Sequence, residues 1–269
     1  MSATTAVART PSRAGLPPWR AAVASEWVKA RTVPSTWTAL GAALAILVGV
    51  GAAIAALNAG EGSDAPGVES VQPIATSLSG VFMGQVALGL LGALLITAEF
   101  GTGSILTSLS AVPQRTRLLM AKAVILVLLV VPTAVLGVQL AALVGLRILD
   151  GAGLGQPWAS TGTQGALIGA TAYLTLIALF GLAAGALLRS TAAAVIVLTF
   201  VLFLLPVLIG LLPTAEDVLP WLPSQAGQAA FQQGSVPGYL EPVAGLALLA
   251  GYTALLMAVA VWDLRRRDP

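Results

Sequence analysis

The chain has 269 residues, of which 57% are apolar and only 9% are charged, and its mean hydropathy is +0.93. A soluble domain carries about 25% charged residues, so this chain has more apolar surface than a globular core can hide, and a bilayer is the solvent that suits the remainder. With no Cys and no His, disulfides, thiol nucleophiles, Cys/His metal sites and imidazole acid–base chemistry are excluded.

Residues 1–16 are rich in Ala, Thr, Pro and Arg and read as a disordered tail. The stretch 17–34 follows, opening into "WRAAVASEWVKARTVPSTW", which runs from Trp19 to Trp37. At 100° per residue, Trp19, Val23, Trp27 and Ala30 share a narrow apolar stripe, flanked by Arg20, Arg31 and Lys29. Such a helix would lie at the membrane surface with its basic side chains reaching the headgroups, and Pro34 would end it.

Six runs are long enough to cross a bilayer as helices: 37–57, 74–98, 121–146, 164–188, 192–212 and 242–262, within a transmembrane region of 35–264. The shortest spans about 31 Å, which matches a hydrocarbon core of about 30 Å. The first run has a long polar stretch before it and another span after it, so it reads as a retained signal-anchor and not a cleaved signal peptide. The tight join at Arg189-Ser190-Thr191 folds spans four and five into a hairpin. The outer segment 213–241 holds Trp221, Phe231 and Tyr239 among prolines and is too apolar for a free loop, so short helices dipping back to the interface are expected. A basic tail, 265–269, closes the chain.

Placing the N-terminus inside puts twelve of the thirteen Lys and Arg on the cytoplasmic side, leaving only Arg147 outside. Seven of the eleven acids (Glu61, Asp64, Glu69, Asp150, Glu216, Asp217 and Glu241) then fall outside. That asymmetry predicts two cytoplasmic termini in a multi-pass protein of the plasma membrane. The basic pI of 9.4 reflects these orienting clusters, and no nucleic-acid partner is expected.

Within the spans, ionisable groups sit at the membrane edges, not at mid-depth as in proton relays. Gln85 and Gln139 fall deeper and would hydrogen-bond between neighbouring helices. Alternatively, Phe82, Gln85 and Phe203 would line a pathway. The pairs Gly80/Gly84, Gly165/Gly169 and Gly181/Gly185 fit the small-residue spacing of close helix packing. No phosphate loop occurs, since neither lysine follows a glycine. Any use of ATP therefore needs a separate chain.

Between spans two and three the sequence reads "AEFGTGSILTSLSAVPQRTRLLMAKAV". Thr102 and Ser104 can act as N-caps, Pro113 limits the helix, and Ile105, Leu106, Leu109 and Val112 share one face. A helix of about two turns is too short to stand alone in water and needs a surface to rest on.

In order and spacing, "SEWVKARTVPSTW", the stretch from Ala98 to Val124 and "LPWLPSQAGQAAF" resemble the permease subunits of ABC-2 type exporters. The resemblance implies an all-α polytopic membrane protein of six transmembrane helices with both termini cytoplasmic. To these it adds a connecting helix, a cytoplasmic coupling helix and a partly helical outer loop between spans five and six. It assigns Trp19, Val23, Trp27, Lys29 and Arg31 to the connecting helix. The ATPase-coupling element would comprise Glu99, Gly101, Thr102, Ile105, Leu106, Leu109 and Val112, with Glu99 bridged to Arg115, Arg117 or the ATPase. Trp221, Pro223 and Phe231 would form an outer gate, and Phe82, Gln85 and Phe203 the substrate pathway. No cofactor belongs to this chain; ATP and Mg would be held by an ABC ATPase subunit. The permease would pair as a homodimer or with a related permease and move an amphiphilic substrate outward. The alternatives are an ion-coupled secondary carrier and a non-transporting anchor or assembly subunit.

Overall fold

In the computed structural model, residues 18–60, 72–103, 115–232 and 239–266 are described. Every regular element among them is helical. Helix α1 (Pro18–Thr32) is followed without a loop by α2 (Pro34–Gly60), α3 (Pro73–Ser77) and α4 (Gly80–Gly101). Next come α5 (Arg115–Gly151) and α6 (Thr161–Leu188). The fifth span is α7 (Thr191–Thr199), a π-helical turn over Phe200–Leu204, and α8 (Leu205–Gly210). Two short helices, α9 (Ala215–Val218) and α10 (Pro223–Gln228), lead to α11 (Pro242–Arg266). Six helical stretches are long and apolar enough to cross a membrane: Pro34–Gly60, Gly80–Gly101, Thr116–Gly151, Gly162–Leu188, Thr191–Gly210 and Pro242–Arg266.

The hydrophobicity of these helices runs nearly all round, and packing decides which stripe turns inward. On α2 the buried stripe is Thr36, Leu40, Ala43, Leu47, Gly51 and Ala55, while Trp37 and Leu57 point outward. The central element is α6, the most buried of the six, packed against α4, α5 and α11. Its contact with α4 is backbone on backbone: a Cβ on Gly181 would strike the Gly89 carbonyl, and one on Gly92 would strike Ala178. Gly181→Ala therefore forces the pair apart and is expected to cost about 1–3 kcal/mol, readable as a lower unfolding temperature of the purified protein.

Three spans depart from their predicted limits. The run 74–98 is not one helix: it breaks at Leu78–Ser79, and the crossing helix starts at Gly80. The break lets Ser77 wedge against Gly51 of α2 and Gly145 of α5, positions where any side chain would collide with it. The third span is far longer than 121–146, since α5 runs for 37 residues, or about 55 Å. It continues past the hydrocarbon at both ends despite an internal Pro132. The last helix likewise extends through Arg266, into the predicted tail.

At the join of α6 and α7, Arg189 takes a left-handed conformation, φ 53°, and Ser190 caps the next helix by accepting from the Ala193 amide. Ile177 and Leu202, each eleven residues from the turn, both face Gly89 of α4. The predicted hairpin follows directly from that shared level. At the opposite end, the outer segment folds back into the bundle. Ala226, Ala229, Ala230 and Phe231 are buried, with Gly245 against the Ala226 carbonyl and Gly169 against that of Ala230.

Candidate functional site: a buried ionic cluster under the surface helix

Charged side chains are few, and the fold collects most of them at one end. Lys122, in the second turn of α5, is only 1% exposed. Burying an ammonium without partners would cost several kcal/mol. Its Nζ therefore donates to Glu26 Oε2 at 2.7 Å, to Glu99 Oε1 at 2.6 Å and to the Leu95 carbonyl at 3.0 Å. Lys29 completes a square, donating to Glu26 Oε1 at 2.7 Å and Glu99 Oε1 at 2.9 Å. Two carboxylates and two ammonium groups alternate, so the cluster is neutral as a whole while tying α1, α4 and α5 together. Desolvation alone would lower the pKa of Lys29, but the hydrogen bonds and charges of Glu26 and Glu99 outweigh it and hold the pKa above the usual lysine value. Glu99 Oε2 is buried without a hydrogen-bond partner.

The geometry corrects two expectations. Of the bridges expected for Glu99, to Arg115, Arg117 or the ATPase, the one to Arg117 gives way to ion pairs with Lys29 and Lys122, and the Arg115 side chain lies outside the described residues. The second concerns Lys29: expected to reach the headgroups, it belongs instead to the side of α1 that packs on the bundle. Ala22, Glu26 and Ala30, spaced four apart, are buried, whereas Trp19 is 41% and Trp27 39% exposed. Val23 is half-buried against the core. Small residues let α1 approach closely enough for Glu26 to reach Lys122, and the indoles turn out toward the membrane interface. Arg31 stays exposed, as predicted, but Lys29 turns inward. Glu26 is the residue sequence reasoning missed. Its signal was a single acid among small residues, with a lysine three positions on.

A ring of further contacts runs round the same end. Arg189 pairs with Asp263 at 3.3 Å and lies over the Phe100 ring at 5.5 Å. Thr191 meets Thr97 at 3.0 Å, and Arg265 donates to Thr116 at 3.1 Å. The first and last described helices thus share one end of the bundle. Just beyond Glu99, Gly101 and Thr102 are exposed. Thr102 closes α4, its hydroxyl donating to the Ala98 carbonyl at 2.9 Å, and the helix it was expected to cap lies outside the described residues. Gly103 follows with φ +70°, the conformation that stops a helix. Ile105, Leu106, Leu109 and Val112 lie outside the described residues.

Deeper in the bundle, Phe82 and Phe203 meet with ring centroids 4.5 Å apart, both half-buried. Gln85 is drawn to the same place but is fully buried and not on a cavity wall, accepting a hydrogen bond from the Tyr173 hydroxyl. Tyr173, unremarked in the sequence, is the largest fully buried side chain and packs on Phe231 of the outer segment, centroids 5.8 Å apart. Trp221 remains 57% exposed, its carbonyl accepting from Tyr252 at 3.0 Å. Pro223, half-buried, starts α10.

Comparison with curated proteins gives no match. A family profile described as "ABC-2 family transporter protein" does match, over residues 22–212. That range takes in α1, five of the six spans and every member of the ionic cluster, and with six membrane-length helices it places the chain in the ABC-2 family of membrane transport proteins.

Proposed function

We propose that this chain is the membrane permease subunit of an ABC exporter, driven by ATP hydrolysis on a separate ATPase subunit. The observation that carries the proposal is the Glu26–Lys29–Glu99–Lys122 cluster. It locks a surface helix and the third span to the last turn of α4, directly before the segment 102–112. Any force applied to that segment passes into three helices at once, through ion pairs whose shared cation, Lys122, is only 1% exposed.

In this reading the charged end of the bundle is cytoplasmic, in keeping with the positive-inside asymmetry. ATP and Mg reside on the partner, and Ile105, Leu106, Leu109 and Val112 present the docking face. ATP binding favours one arrangement of the ATPase pair. Because that ligand has different affinities for the two conformations, it shifts the permease between inward and outward access. Two permease chains would face each other across a pathway bordered by Phe82 and Phe203, closed by the segment of Trp221, Pro223 and Phe231, with an amphiphile as cargo. An ion-coupled carrier needs titrating groups at mid-depth; in the described residues the buried charged groups, Glu26, Glu99, Lys122 and Asp263, gather at one end of the bundle.

Co-reconstitution with an ABC ATPase tests the reading. The double substitution Ile105→Asp and Leu109→Asp is expected to abolish permease-stimulated ATP hydrolysis and ATPase co-purification, while leaving the unfolding temperature unchanged. Full stimulation by this variant would refute the docking assignment.

A further inference from the structure

Among the described residues, Arg147 is the one basic residue at the end of the bundle opposite the ionic ring. Among the described residues, no carboxylate lies within ion-pair distance of its guanidinium. It stands on a continuous face of α5 in which Val131, Val135, Gln139, Leu143 and Arg147 recur every four residues. The lower three line a membrane-facing groove of about 530 Å³ between α5 and α6. The upper two line a second cavity of about 640 Å³, capped by Gln156 and Trp158. Asp150 shares that upper wall, with its carboxylate packed against Gly155.

The lower groove is apolar except at a few points: Gln139, Thr171, Thr175 and, toward the mouth, Gln164. Both threonine hydroxyls are engaged by helix carbonyls one turn back. Gln139 is different, because its Oε1 is buried and has no hydrogen-bond partner. Lipid hydrocarbon cannot supply a donor beside it, and an acceptor buried without one is costly. Eight helical residues separate Gln139 from Arg147, or about 12 Å along the axis. The face thus presents a cation and an indole at headgroup level, an apolar trough beneath, and an orphan acceptor partway down.

We propose that this face binds an anionic amphiphile from the leaflet at the Arg147 end. Its acid group pairs with Arg147, its chain lies in the α5/α6 groove, and a hydroxyl or amide N–H on the chain donates to Gln139. The site does not depend on the transport reading, since it faces lipid and shares no residue with the ionic cluster. It discriminates by charge at the top and by hydrogen bonding below.

Ricinoleate and oleate are suitable probes, because they share chain length, double bond and carboxylate and differ by one mid-chain hydroxyl. Retention by the full-length purified protein is read by native mass spectrometry in mild detergent. Wild type is expected to retain ricinoleate about threefold to tenfold better than oleate. Gln139→Leu should abolish that difference without weakening oleate. Arg147→Gln should weaken both acids on the order of tenfold, and methyl ricinoleate should bind wild type no better than ricinoleate binds Arg147→Gln. Equal retention of the two acids by wild type would overturn the hydroxyl recognition, and equal retention of acid and ester would overturn the anionic head. Because the chain has no cysteine, Ile168→Cys on the rim, 71% exposed, gives a clean single-cysteine variant. Efficient disulfide dimerisation through it in the membrane would mean that a second copy covers the groove, which also overturns the proposal.

Discussion

Replacing Lys122 with methionine is expected to destabilise the protein by about 3–5 kcal/mol, a large share of the stability of a typical fold. Methionine keeps the length and apolar stem of lysine but removes the ammonium that bonds Glu26 and Glu99 at 2.7 and 2.6 Å. Both carboxylates stay buried, now with only Lys29 between them, and the Leu95 carbonyl loses its side-chain donor. The source of the loss is a net buried charge, so the double variant Lys122→Met with Glu99→Gln, which restores neutrality, should recover part of it. Unfolding of the purified variants, by heat or denaturant, gives the comparison. A single variant within about 1 kcal/mol of wild type, as for a surface ion pair, would show that the cluster is open to water and carries little energy.

Glu99→Gln alone is expected to act on coupling more than on folding. The side chain keeps its shape and one acceptor oxygen, and Glu26 still binds both lysines. What is lost is a charge that holds the end of α4 to its neighbours. Permease-stimulated ATP hydrolysis in proteoliposomes should fall about tenfold, the scale of a typical coupling free energy, while the unfolding temperature falls less than for Lys122→Met, because the excess positive charge can rest on Lys29, whose side chain is 42% exposed. Unaltered hydrolysis and transport would leave Glu99 a structural residue alone.

The architecture was largely legible because a bilayer imposes a simple rule: a helix that crosses it must be long and apolar, and charges must stay at its ends. Six spans followed from that rule, as did the tight turn at Arg189; the outer segment was expected to stop at the interface, yet Ala226, Ala229, Ala230 and Phe231 are buried in the bundle. Span limits were less legible where a span's end was set by neighbours. The break before Gly80 depends on glycines at 51 and 145 that lie far away in sequence. Helix periodicity put the tryptophan stripe of α1 at the membrane surface but did not show which face packs on protein, because hydrophobicity does not distinguish a face turned to lipid from one turned to protein. Trp19 and Trp27 are exposed, while Ala22, Glu26 and Ala30 are buried.

The site divides along the same line. Glu99 and Lys29 stood out in the sequence because charge is so scarce, but their partners did not. Glu26 and Lys122 are 96 residues apart, and Gln85 and Tyr173 are 88 apart; no local pattern links such pairs. From the sequence alone came the membrane, the number of crossings and the clustering of basic residues at one end, since each follows from transfer energies that act residue by residue. Which charges neutralise one another, and which amides stay unsatisfied, was decided only in the folded bundle. A buried polar group is satisfied by atoms within about 3 Å, and only the packing of distant helices brings those atoms together.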